Sequence, residues 1–236
     1  MVQIIKQERE QLEKFAADLI AKSIREISAE KDNIVLAIPG GRSVSGIFNI
    51  LKHEDINWSA VHIFLVDERL VSIDDEQSNF KLAKDVFIDE LINEGKLPRE
   101  NVHPFIYKPD YECRGTRNYK EELGKYGGRY DIILLSSGED GHVGALYPGH
   151  HSVKDDSEFF ITMDDSPKPP AGRMSASLNL LKKAVLGIVL FFGDAKKDAY
   201  RKFTENDIGI EACPAKVVHH AGKGYVLTDI GVQDND

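Results

Sequence analysis

The chain has 236 residues, 42% of them hydrophobic and 29% charged, with a formal net charge of −9. That length can bury a sizeable core, and the acidic balance excludes a nucleic-acid partner bound across a broad basic face. The longest apolar run, Ala184–Phe192, is far too short to span a bilayer, and the N-terminal MVQIIKQERE is charged too early for a signal peptide. Cys113 and Cys213 lie far apart and show no metal or redox spacing, which is the pattern of reduced thiols in a cytoplasmic protein.

In chain order, Leu12, Phe15, Ala16, Leu19, Ile24 and Ile27 recur at helical spacing and predict an amphipathic helix over residues 7–28. Ile34–Ile38 reads as a buried strand stopped by Pro39-Gly40-Gly41, and Ser43 can cap a helix carrying Val44, Ile47, Phe48 and Leu51. A strand, a glycine turn and a helix together aim free backbone amides at an anion, with Arg42 adding a fixed charge. Gly41 and Gly46 have Walker-type spacing, but Ile47-Phe48 stand where Lys and Ser/Thr are required, which excludes an NTPase loop. Val61–Val66 predicts a second buried strand leading into a charged loop, Asp67-Glu68-Arg69. Residues 72–77 form a polar surface loop, Ser78 or Asn79 starts a helix that runs in pieces to about Gly95, and residues 110–125 predict a surface helix.

The most informative stretch is Tyr130–His150, YDIILLSSGEDGHVGALYPGH. Its apolar opening suits a buried strand, and the run breaks at Ser136-Ser137-Gly138 into a loop holding Glu139, Asp140 and His142. In an open α/β sheet the loop leaving the carboxyl end of a strand is where ligands bind, and histidine is the side chain best suited to exchange a proton near neutral pH. Beyond it, Phe159–Met163 reads as a strand and Pro167–Pro170 as a rigid connector delivering Arg173. Leu186–Phe192 is another strand, Asp194 caps a helix with Lys196 in its first turn, and Gly224–Thr228 is a closing strand before an acidic tail. No Pro/Gly/Ser linker and no repeat interrupts residues 1–236, which predicts a single α/β domain.

Four stretches stand in one order: PGGRS (39–43), VDERLV (66–71) with Ser78-Asn79, GEDGHVGALYPG (138–149), and PPAGR (169–173) with GDAKK (193–197). That order resembles the 6-phosphogluconolactonases, lactone hydrolases of the oxidative branch of the pentose phosphate pathway. The same superfamily holds glucosamine-6-phosphate deaminase and ribose-5-phosphate isomerase. The resemblance implies a three-layer α/β fold, a largely parallel β-sheet flanked by helices, and a sugar-phosphate lactone as substrate. It implies catalytic roles for His142, Arg69 and Asp67: His142 as general base, Arg69 at the developing oxyanion, and Asp67 holding Arg69 or His142 in place. Substrate binding falls to Gly40, Gly41, Arg42, Ser43, Asn79, Asp140, Gly141, Arg173 and Lys196, with Asp140 shaping the loop through backbone bonds. The chain departs from the common pattern at Arg42-Ser43-Val44, Ser136-Ser137 and Val143-Gly144-Ala145. No cofactor and no metal site are expected, since the acids and histidines lack ligand spacing. The expected state is a monomer or small homo-oligomer, without nucleic acid or membrane. The alternatives are a deaminase-isomerase, disfavoured because DER stands where that branch has DEY, and a non-catalytic sugar-phosphate binder.

Overall fold

The computed structural model describes residues 2–232. Six strands, β1 (Val2–Lys6), β2 (Ile34–Ile38), β3 (Val61–Leu65), β5 (Ile132–Ser136), β8 (Leu186–Phe191) and β9 (Lys223–Thr228), form a sheet in the order β1-β9-β8-β5-β2-β3. All of its pairings are parallel. The five positions of β2 are all buried, because both faces of the sheet are covered. This is why the strand reads as a continuous apolar run rather than an alternating one. Ile34, Leu36, Ile38, Ile132 and Leu134 face one core, with Leu12, Ile20 and Ile24 of α1 (Arg9–Ser28), Ile47 and Phe48 of α2 (Ser45–Leu51), and Phe87. Val35, Ala37, Ile133 and Leu135 face the other, with Leu123 of α5 (Thr116–Gly124), Phe203 of α8 (Lys197–Thr204) and Val217. The three-layer α/β architecture expected from the sequence is therefore present. Among the described residues, no helix is long and apolar enough to cross a membrane.

Several local expectations change. Val2–Lys6, given no element by the sequence, is an edge strand paired to β9. Asp67–Arg69 is not a loop but a short strand, β4, in a three-stranded antiparallel sheet with β7 (Arg173–Ala176) and β6 (Phe160–Met163), in the order β4-β7-β6. Ser43 does not cap α2, whose N-cap is Val44 within a continuing turn, and Asp194 opens a 3-10 turn without a side-chain cap. Ser78 does cap: its Oγ accepts from Lys81 N at 3.1 Å and starts α3 (Asn79–Ala83), which continues through a π turn at Lys84–Ile88 into α4 (Asp89–Asn93). The acidic tail, 233–236, lies outside the described residues.

At the β3 border of the large sheet no seventh strand is present among the described residues, where Val102 alone bridges to Ile63. The Tyr119 hydroxyl accepts from Leu65 N at 2.8 Å and donates to His103 O at 3.1 Å, so a phenol occupies the place of a strand backbone.

The topology positions the site. After β3 the chain turns back, and β5, β8 and β9 are added on the other side of β2. The strand order thus reverses between β2 and β5. Where parallel neighbours lead away in opposite directions, a crevice opens beyond their carboxyl ends. The remaining helices, α6 (His151–Lys154) and α7 (Leu178–Leu181), are single turns in the connections that flank it.

Candidate active site

A cleft of about 280 Å³ opens at this crevice. Gly40 and Gly41 enter it from the end of β2, Ser137, Gly138 and His142 from the end of β5, Asp67 and Arg69 from β4, and Asn79 from the start of α3. Lys168, Pro169, Arg173 and Lys196 close the far wall. Eight of the expected site residues therefore line one cavity. Ser43 and Gly141 do not line it: Ser43 instead offers its carbonyl to Arg9 Nη2 at 3.4 Å, and Gly141 is a buried turn residue with φ of +97°. The Arg42 side chain lies outside what the structure describes.

His142 is held by Asp140. The Asp140 Oδ1 atom accepts from the His142 amide at 3.1 Å and lies 2.6 Å from its Nδ1. Two residues apart, the carboxylate makes an Asx-type turn and at the same time orients the ring, leaving Nε2 for the cleft. Burial alone would raise the Asp140 carboxyl, but the bond to His142 and its charge outweigh that and hold it well below the ordinary range. Gly138 makes room for this arrangement, because a Cβ there would lie 2.0 Å from the imidazole Nδ1 and Cε1. Tyr147 supports the ring from the side, with centroids 4.8 Å apart, and its own hydroxyl accepts from Ser166 Oγ at 2.8 Å.

The expectation that Asp67 holds Arg69 or His142 is not what the geometry shows. Asp67 is buried, and Asn79 Nδ2 donates to its carbonyl at 2.9 Å and to its Oδ2 at 3.2 Å. Burial raises its carboxyl above the usual range, against the pull of Arg69, Arg173 and His142. Gly40 lets Asn79 approach: a Cβ at Gly40 would sit 1.7 Å from Asn79 Oδ1. The Glu of the DER triplet proves to be the anchor of the region. Only 2% exposed, Glu68 accepts from Ser78 Oγ at 2.9 Å and from the amides of Asn79, Phe80 and Arg69 at 2.8, 2.9 and 2.7 Å. It satisfies the free amides at the start of α3 and fastens that helix to β4.

Arg69 donates through Nη1 to Gln77 O at 2.5 Å, while its buried Nε has no partner among the described residues. Arg173 donates through Nε to Pro170 O at 2.9 Å and through Nη2 to Pro169 O at 2.9 Å and Lys168 O at 3.4 Å. Its Nε/Nη2 fork is thus spent on the connector, and only Nη1 and the positive charge remain for the cleft. Burial, then the charge of Arg69, lowers the Arg173 pKa from its usual value. Lys196 is also lowered by burial, against Glu139 and Asp140.

Lys168, Tyr147 and Ser137 line the cleft and were not among the expected residues. Lys168 was findable: it is the one charge inside the proline connector, PKPP, five residues before Arg173.

The sequence matches, over residues 7–227, the family described as glucosamine-6-phosphate isomerases/6-phosphogluconolactonase. The chain belongs to that family. Among its relatives, a 6-phosphogluconolactonase of Borreliella burgdorferi is 30% identical, the match covering 86% of this chain and 87% of the relative. A 6-phosphogluconolactonase of Thermotoga maritima is 28% identical over 77% of this chain and 80% of its own. A solved 6-phosphogluconolactonase of Trypanosoma cruzi shares the fold with a TM-score of 0.83 at 19% identity, covering 100% of this chain and 98% of that one. A monomeric glucosamine-6-phosphate deaminase also shares it, with a TM-score of 0.78 at 22% identity and coverage of 97% and 98%. The fold is therefore common to both branches of the family, and the cleft's own side chains must distinguish them.

Proposed function

We propose that this chain hydrolyses 6-phosphogluconolactone to 6-phosphogluconate. The observation that carries the reading is a histidine fixed through Nδ1, with no bond to Nε2 among the described residues, in a cleft walled by Arg69, Lys168, Arg173 and Lys196. That convergence of cations in a chain of net charge −9 suits a phosphorylated, uncharged-ring substrate. The relatives named as 6-phosphogluconolactonases support the same reading.

His142 Nε2 takes a proton from water as the oxygen attacks the lactone carbonyl carbon. Arg69 faces the oxygen that gains charge, a fixed cation needing no proton transfer. When the tetrahedral adduct collapses, the bond from the carbonyl carbon to the ring oxygen breaks, and His142 returns the proton to that oxygen. General acid–base help of this kind contributes roughly 10²–10⁴-fold. Asp140 stabilises the imidazolium between the two steps and keeps the ring from rotating. The phosphate lies toward Gly40-Gly41, Lys168, Arg173 and Lys196. We place the reaction in the cytoplasm, where Cys113 and Cys213, both unpaired, stay reduced.

The test is acid release from freshly prepared 6-phosphogluconolactone, measured above its spontaneous hydrolysis for wild type and His142→Ala, with ammonia release from glucosamine 6-phosphate run in parallel. The reading expects acid release in wild type, a loss of roughly 10²–10⁴-fold in the folded variant, and no ammonia. Ammonia without lactone hydrolysis would move the chain to the other branch of the family.

A further inference from the structure

His150 and His151 adjoin each other and Asp165 lies fourteen residues further on, so nothing in their spacing announces a site. The fold brings them together. His151 Nε2 lies 3.0 Å from Asp165 Oδ1, His150 Nε2 lies 3.5 Å from the same oxygen, and the three donor atoms fall within 4.8 Å of one another. We propose that His150, His151 and Asp165 bind a divalent transition-metal ion of the zinc class, a site separate from the catalytic cleft.

Geometry supports this. Donors on a tetrahedral zinc ion, at about 2.0–2.1 Å from the metal, stand roughly 3.3–3.4 Å apart. The two distances to Asp165 Oδ1 bracket that figure, and the exposed His151 side chain is the one placed to adjust. His150 Nε2 is buried and has no hydrogen-bond partner among the described residues, which leaves an unsatisfied polar atom against the cluster. Its ring is oriented from behind, with Nδ1 at 3.0 Å from Ser152 Oγ. Metal binding through Nε2 puts the ring proton on Nδ1, where it donates to Ser152 Oγ and displaces the longer 3.2 Å bond from Ser152 N. Two imidazoles and one carboxylate suit zinc, nickel or copper ions far better than magnesium or calcium, which take oxygen ligands.

The location gives the ion a task. Asp165 belongs to the strap 164–172, which carries Lys168 into the cleft, and His150 follows Tyr147, whose ring packs on His142. Without metal the strap is tied to this segment by the Ser166–Tyr147 bond and the histidine contacts of Asp165. A bound ion fastens the two more firmly.

The experiment is calorimetric titration of the tag-free, chelator-treated full chain with zinc sulfate. Wild type and His142→Ala should each take one zinc ion. His151→Ala and Asp165→Asn, both at exposed side chains, should bind at least about tenfold more weakly while keeping the wild-type melting temperature in chelator. Cobalt substitution should give the visible absorption of a tetrahedral ion in wild type and lose it in both variants. Millimolar magnesium should not displace zinc. The site is refuted by no uptake in wild type, by uptake unchanged in His151→Ala and Asp165→Asn, or by uptake abolished in His142→Ala, which would put the ion in the catalytic cleft.

Discussion

Arg69 and Arg173 stand directly opposite one another in the register of β4 and β7, and both line the cleft. Like charges at opposed positions of an antiparallel pair repel, and here one of the two is also buried. A phosphate dianion bound on the Arg173 side of the cleft offsets this repulsion. Inorganic phosphate should therefore raise the melting temperature beyond the effect of chloride at matched ionic strength, and Arg69→Gln should shrink the difference. A melting temperature that follows ionic strength alone would mean that phosphate does not relieve the repulsion of the arginine pair.

Asp140→Asn tests how His142 is held. The amide can still accept from the His142 backbone, but it loses the charge opposite the imidazolium. The expected result is a fall in kcat of roughly 10²-fold or more with KM little changed. A kcat within a few-fold of wild type would show that the 2.6 Å contact does not serve catalysis.

Arg173 and Lys168 should behave as one unit. Because Arg173 is committed to the carbonyls of Lys168, Pro169 and Pro170, its main effect on phosphate recognition runs through the position of Lys168. Lys168→Ala and Arg173→Lys should each lower kcat/KM for the phosphorylated lactone by about ten- to a hundredfold, and act much less on unphosphorylated gluconolactone. The double variant should lose little more than the worse single one. Full additivity would make Arg173 an independent phosphate ligand.

Asp67 and Asp140 should have opposite pH signatures. The Asp140 carboxyl is depressed in the fold, so its contribution to stability is intact above the ordinary carboxylate range and is lost as pH falls below it. Asp67 is raised by burial, so its contribution is present below the ordinary value of 3.8 and is lost as pH rises through the folded pKa. At neutral pH, Asp67→Asn should therefore melt higher than wild type while turning over more slowly, and the gain should vanish near pH 4. A variant less stable than wild type at neutral pH would mean that the Asn79 contact outweighs the cost of burying the charge.

The buried strands were legible because both faces of the large sheet are covered, which forces apolar residues at every position of Ile34–Ile38 and Leu186–Phe191. The cleft loops were legible because glycines and charges follow those strands at once. Less visible was Val2–Lys6: an edge strand with exposed positions carries a mixed pattern, and its pairing with β9 joins distant parts of the chain. The DER triplet looked like a loop because a three-residue strand holds too few positions to show alternation. Partner choice was the least legible feature. Asp140 and Asp67 both stand near His142, and only the turn geometry decides which one reaches Nδ1. The role of Glu68 as a remote cap for α3 depends on contacts ten to twelve residues away, beyond any local capping pattern.

The phenol at the β3 border has a consequence outside catalysis. An unpaired strand edge is a template on which another chain can add itself. Tyr119 uses one hydroxyl to occupy both the Leu65 amide and the His103 carbonyl. Its loss would leave the cleft intact yet reopen an adhesive margin, so the damage would appear as self-association in crowded solution. A change that looks silent in a dilute assay could still shorten the working life of the protein.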